Sequence, residues 1–197
     1  MSYSADHKKQ VRIRIVEQAR KLFNRHGFDS VTIDMVMKSA GLTRGGFYNH
    51  FESKEALYGE AVLSFLMGRG ARWRDEAGID LSDLCPEMAR QMIKSYLSEE
   101  HLGDIDGQCP MIALPSDIAR SNPEVQTSYQ SLLEAMVSLF EKSLDNKSNE
   151  ARTTALSLAA LCVGGMVLAR TLPDSILAKE VQTAACVSAE NLLTNLS

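Results

Sequence analysis

The stretch that most limits what this chain can become is TIDMVMKSAGLTRGGFYNHFESKEAL, residues 32–57, and within it TRGGFYNHF, residues 43–51. The inner segment is too short for a core helix. It sets Gly45 and Gly46 side by side in a candidate helix, where each costs about 1 kcal/mol relative to alanine. Keeping them makes sense if the backbone must come close to a ligand or a nucleic acid. The flanks read as two further helices. Thr32 is placed to cap one over Ile33–Ala40, with Asp34 in the first turn, where the helix dipole favours an anion. Gly41 stands where that helix must stop. Thr43 then opens a second helix, Arg44 to about His50, and Ser53 a third, with Lys54 at its first position. Two helices joined by a short glycine-containing turn form a helix-turn-helix, whose second helix enters the DNA major groove N-terminus first.

In that geometry Arg44 is the candidate for a bidentate contact to guanine O6 and N7. Gly45 and Gly46 let the helix sit deep. Thr43 and Lys54, at helix N-termini, can hold phosphate with hydroxyl, ammonium and backbone N–H groups. Asn49 can read a base or face only solvent. Phe47 and Phe51 are assigned to a small apolar core. Upstream, Ile15, Ala19, Leu22 and Phe23 make one apolar stripe on a helix from about Asp6 to His26, ended by Gly27. Lys8, Lys9, Arg12 and Arg14 crowd its start. They are either a solvated basic face or, for Arg12 and Arg14, phosphate contacts beside the motif.

The formal net charge is −4, which argues against a nucleic-acid partner until its distribution is read. Residues 1–58 hold ten Lys/Arg against six Asp/Glu, and the remainder eleven against nineteen. A basic head on an acidic body is expected if only the head meets phosphate.

Thr32, Ala40-Gly41, Thr43, Gly45, Tyr48, His50-Phe51 and Lys54-Glu55-Ala56-Leu57 together resemble the DNA-binding signature of the TetR family of transcriptional regulators. Arg12, Ile15, Ala19, Leu22-Phe23 and Gly27-Phe28 fit that family's first helix, so the resemblance covers roughly residues 8–60. Met37 departs from the pattern, standing where alanine is frequent. The resemblance implies a head over residues 1–55 and a helical ligand-binding and dimerisation body over 56–197. It adds Tyr48 and His50 as phosphate contacts and includes Thr32 in the DNA-binding set. It implies a homodimer on a palindromic operator, most often a repressor, released by a small molecule whose identity stays open. It implies no cofactor, no metal and no catalytic residue.

Beyond the motif, periodicity predicts an all-α chain of about nine helices. One long helix is expected from Ser53 to about Gly78, carrying head into body. Another follows from Asp83–Pro86 to about Ser98, then a Gly/Pro-broken stretch, residues 101–122, with one short irregular helix. Asn122-Pro123-Glu124 starts a helix to about Asp145. The last two run from about Asn149 to Thr171 and from near Asp174 close to the end. The last two are apolar on more than one face. Burial within one subunit explains that, whereas the resemblance implies pairing across a dimer axis, with Ala160, Gly164, Ala185 and Ala189 at the interface. Trp73, Met88, Met92, Cys109, Met111, Tyr129 and Met166 are candidate cavity residues. Methionines at helical spacing also serve as plain core filler.

The polar opening MSYSADHKKQ lacks the apolar segment of a secretory signal, and the most apolar run, residues 155–169, is shorter than the ~20 residues that cross a bilayer. The four cysteines are scattered without a C-x-x-C pair. A cytoplasmic protein with free thiols and no membrane span is the expectation. Cys109 is either a small apolar filler or a thiol sensor of oxidants and electrophiles, an alternative route to regulation. An enzyme using cysteine and histidine is the poorest reading, because His7, His26, His50 and His101 accompany no nucleophile turn, and no zinc-ligand spacing is present.

Overall fold

The structure is a computed structural model; it describes residues 5–144, 149–173 and 175–194. Asp145 and Asp174, two of the helix limits expected from sequence, lie outside the described residues. Within them the chain is all-α, as predicted, with eleven α-helices and one 3₁₀ helix rather than about nine.

The head is built on α1 (Ala5–Ser30), α2 (Ile33–Ser39), a 3₁₀ helix (Arg44–Asn49) and α3 (Lys54–Ser64). Gly27 breaks α1 with a φ of 76°, so the last residues of α1 turn away from its axis. Thr32 caps α2 by accepting the Met35 N–H at 3.2 Å, and Ser53 caps α3 by accepting the Ala56 N–H at 3.1 Å. Each cap stabilises by about 1 kcal/mol. Thr43, by contrast, opens the 3₁₀ helix without a side-chain cap bond. Phe23, Phe28 and Tyr58 form an aromatic cluster with Phe23 and Tyr58 centroids 4.7 Å apart, and this cluster fixes α3 against α1. Phe47 and Phe51 are buried, as the sequence predicts.

The long helix expected from Ser53 to Gly78 is in fact two, α3 and α4 (Arg69–Glu76). The Gly70 N–H reaches back five residues to the Phe65 carbonyl at 2.8 Å, a wide turn that ends the regular ladder. A Cβ on Gly70 would lie 2.7 Å from that carbonyl and from the Phe65 ring, so only glycine lets the chain fold back here.

The body continues with α5 (Pro86–Tyr96), then α6 (Glu99–Gly103), α7 (Pro110–Ala113) and α8 (Pro115–Ala119). The single irregular helix expected in this stretch is thus three short ones, cut by Gly103 and by Pro110 and Pro115 at helix starts. The long α9 (Pro123–Ser143) is capped by Asn122 with a 3.0 Å bond from the Val125 N–H. It packs on α3 and on α10 (Asn149–Thr171), which in turn packs on α11 (Ser175–Thr194). α10 is longer than its apolar run and has the length and composition of a membrane-crossing helix. Ala155, Leu158, Ala159, Cys162 and Met166 are nevertheless buried in the body's core, the placement of a core helix.

Candidate nucleic-acid interface

The helix-turn-helix comprises α2, the turn at Gly41 and the 3₁₀ helix. Gly41 has a φ of 70°, a left-handed conformation that most other residues adopt only under strain. Phe47 anchors the 3₁₀ helix from below, while Thr43, Arg44, Gly45, Tyr48 and Asn49 face solvent. Tyr48 is 64% exposed, far more than packing would leave a tyrosine. The two glycines have different jobs. A Cβ on Gly46 would sit 3.6 Å from Cε of Met37, whereas one on Gly45 would meet nothing within 4 Å. The Met37 side chain therefore fills the space under the recognition helix, which explains why a larger residue than alanine is accepted there. Arg44 is held by Asp34 of α2 through a 2.8 Å ion pair between exposed side chains, a partner the sequence reading placed only as a dipole-matched acid.

Two of the expected phosphate contacts are otherwise engaged. Arg12 donates to the Glu60 carboxylate, at 3.0 Å from Nε, and to the His50 carbonyl, with its guanidinium 4.1 Å over the Phe51 ring. Lys54 donates to the Phe28 carbonyl at 2.5 Å and lies 4.1 Å over the Phe28 ring. Arg12 thus ties α1 to α3 and to the recognition segment, and Lys54 ties α3 to the end of α1, so both cations have partners within the head. Arg14 is exposed. A groove between the start of α1 and the recognition helix brings Lys8 together with Thr43, Asn49 and His50. Burial, then Lys8 and Arg12, push the His50 pKa down, which favours the neutral ring. Thr32 spends its hydroxyl on capping α2 but remains exposed.

In the body, a cavity of about 330 Å³ opens among α4, α5, α7 and α9. It gathers Trp73, Met92, Cys109 and Met111 from the predicted set. Met88, Tyr129 and Met166 are not in its lining. The Met88 sulfur accepts the Asp80 N–H, Tyr129 donates to the Met111 carbonyl at 3.5 Å, and Met166 is fully buried beside Gln182. Sequence periodicity could not separate these, because cavity and core methionines share one spacing. It also missed Arg74, Tyr96, His101 and Met136 in the lining.

The predicted small-residue interface divides as well. Ala160 is exposed and Gly164 has open space where a Cβ would go. Ala185 and Ala189 are instead buried inside the subunit. A Cβ on Gly165 would lie 2.7 Å from that of Ala185, so Gly165 and Ala185 let α10 and α11 of one subunit approach closely. The outward face of the pair carries Leu156, Leu168, Ile176 and Val187.

Residues 15–61 match the family described as bacterial regulatory proteins, tetR family. The HTH-type transcriptional regulator UidR of Escherichia coli (strain K12) is 31% identical over 115 residues, which is 58% of this chain and 54% of UidR. The chain thus spans about half the length of that relative. The fold resembles that of a TetR-family transcriptional regulator from Cytophaga hutchinsonii, with a TM-score of 0.76 at 17% identity over 99% and 98% of the two chains. It also resembles the reduced form of Escherichia coli NemR, with a TM-score of 0.74 at 16% identity over 92% and 96%.

Proposed function

Because this chain belongs to the TetR family of DNA-binding transcriptional regulators, we propose that it is a repressor that binds a palindromic operator as a homodimer and leaves it when a small molecule occupies the body cavity. The observation that carries this is the outward edge of the 3₁₀ helix. Arg44, Gly45, Tyr48 and Asn49 stand exposed there over a buried Phe47, an arrangement that offers base-reading and phosphate-holding groups to one groove. Lys8, Arg14, Thr43 and His50 flank it as phosphate partners.

The transmission path runs through residues 101–109. His101 and Cys109 line the cavity. Between them, Asp106 and Gln108 take bonds from α1: Arg20 to the Asp106 carbonyl at 2.7 Å, and Asn24 to the Gln108 carbonyl at 2.8 Å. A ligand that shifts this segment shifts α1, and α1 carries the head. The competing reading, a sensor built on Cys109, has burial against it. Burial pushes that thiol up to about 11, and a protonated buried thiol is a poor nucleophile.

The test is selection of bound duplexes from a random pool. Wild type should enrich palindromes with half-sites one helical turn or a multiple apart. Arg44→Ala should lose preference at one base pair per half-site, at a cost of about 1–3 kcal/mol. Unchanged preference in that variant would remove the recognition assignment.

A further inference from the structure

The cavity's charge inventory is one-sided. Among the described residues no carboxylate lines it. His101 has both ring nitrogens occupied, Nδ1 against the Tyr96 carbonyl at 2.9 Å and Nε2 accepting the Cys109 N–H at 3.4 Å. That pairing holds it neutral, and burial pushes its pKa down. The polar capacity left over is the Tyr96 and Ser138 hydroxyls, which can donate or accept, and the cations Arg74 and Lys142, which only donate. The Tyr96 hydroxyl is buried with the Cys109 thiol, a weak partner, as its one neighbour for a hydrogen bond among the described residues. Arg74 is half-buried, donates from Nη2 to the Leu66 carbonyl at 2.9 Å, and is in no ion pair among the described residues. Arg69, on the same helix, pairs with both Glu76 and Asp104, whereas Arg74, which lines the cavity, has only the charge of the adjacent Asp75 to set against its desolvation. Lys142 adds a second cation to the lining. Apart from Ala135 and Ser138 the remaining wall is leucine, methionine and aromatic ring, adaptable surface for an apolar chain.

A desolvated guanidinium without an anion is costly, and a ligand that brings the anion removes that cost. We infer that the cavity takes a small apolar carboxylate, its acid end on Arg74 within reach of a second donor and its tail along Leu66, Met92, Met111, Leu132 and Met136. This rests on the body being a small-molecule receptor, and it goes further by fixing the charge and polarity of what is received. A volume of about 330 Å³ sits at the small end of the ~300–1,000 Å³ usual for such sites, which favours a compact acid over a multi-ring compound.

The chain contains a single tryptophan, Trp73, and it lines this cavity, so its fluorescence reports occupancy directly. The full chain is titrated at pH 7.5 with octanoate, 1-octanol and octylamine, three probes that share one tail. Octanoate should bind roughly tenfold more tightly than octanol, as a charge-assisted pair on a partly desolvated arginine implies, and octylamine most weakly. Arg74→Gln should abolish the preference for octanoate while leaving octanol binding unchanged, and Arg74→Lys should restore part of it. The ratio in wild-type protein, repeated by calorimetry, stands even if the variants fold poorly. Equal affinities for acid and alcohol, a stronger amine, or no response to any probe would each overturn the inference. Operator release is measured alongside. If octanol releases DNA as well as octanoate does, the receptor reading stands and the acid preference falls. If octanoate binds through Arg74 but DNA stays bound, the reverse holds.

Discussion

Arg170 of α10 donates to the Asn24 carbonyl of α1 at 2.8 Å, joining the body's core helix to the head's first helix across most of the sequence. The same guanidinium donates to the Gln108 side chain, whose amide nitrogen bonds the Leu102 carbonyl at 2.8 Å. One arginine therefore holds α1, α10 and the segment between α6 and α7 in a fixed arrangement. Asp117 of α8 adds a separate tie, accepting the Phe28 N–H at 2.8 Å.

If this network carries the effector's signal, Arg170→Met should do two things. It should lower stability by about 1–3 kcal/mol, since partly buried acceptors lose their partner, read as a shifted urea midpoint. It should also leave operator affinity close to wild type while making release by a ligand less complete. A variant that is destabilised yet released as fully as wild type would reduce Arg170 to a structural role.

Gly45 and Gly46 allow a cleaner separation of folding from binding. Because nothing in the protein approaches the Gly45 Cβ position, Gly45→Ala should be neutral or slightly stabilising by its reduced chain entropy. Any loss of operator affinity must then come from the DNA side. A loss of tenfold or more, with an unshifted thermal midpoint, is the expected result. A Cβ on Gly46 would make ordinary van der Waals contact with the end of Met37, so Gly46→Ala should fold as wild type does. If Gly45→Ala binds as wild type does, the backbone at that position does not approach the duplex.

Much of the head was legible before any coordinates, because its signals are local. Thr32 and Ser53 announce caps, Gly41 a left-handed turn, and Phe47 and Phe51 a buried pair within a polar run. What sequence alone hides is equally specific. Arg12 and Lys54 sit where phosphate-binding cations belong, but their partners Glu60 and Phe28 are distant in sequence, and no periodicity reveals such a pairing. The α3–α4 break depends on Gly70 meeting Phe65 through a five-residue turn, which reads as an ordinary amphipathic helix until the turn is seen. Ala185 and Ala189 are small, and size alone cannot say whether the close neighbour is the same chain or another. The cavity was half found, since Tyr96 and His101 look like routine core and Arg74 like a solvated charge.

The burial of Ala185 and Ala189 within one subunit changes how a dimer should be probed. Val187→Glu places a charge on the outward face, where Val187 is 51% exposed, and costs the monomer little. In a desolvated interface an unpaired charge costs several kcal/mol, so sedimentation should show monomers and operator affinity should collapse. Gly164→Glu is expected to do the same from α10. Ala185→Glu is a different experiment, because it buries a charge against Gly165 within one subunit and should unfold the body. A dimer that persists in both Val187→Glu and Gly164→Glu would move the interface off this face.

The four thiols should separate by reactivity, and the order decides whether Cys109 can be a sensor. Cys85 and Cys186 are half-buried, whereas Cys109 and Cys162 are buried. Burial drives the Cys109 pKa up to about 11 from the ordinary 9.0 and raises Cys162 as well. At pH 8 the Cys109 thiolate fraction is then about one in a thousand, before access is considered. Timed alkylation with mass-spectrometric readout should find Cys85 and Cys186 modified first and Cys109 only on the timescale of global unfolding. The same shift has a stability consequence with a definite sign. Above pH 9.0 the unfolded thiol loses its proton while the native one keeps it until about 11, so the unfolded state binds fewer protons and stability falls as pH rises through that window. Cys109→Ser should keep its operator response to a mild electrophile if Cys109 only packs. Loss of that response in the serine variant, together with fast native-state labelling of Cys109, would instead make the thiol the receptor.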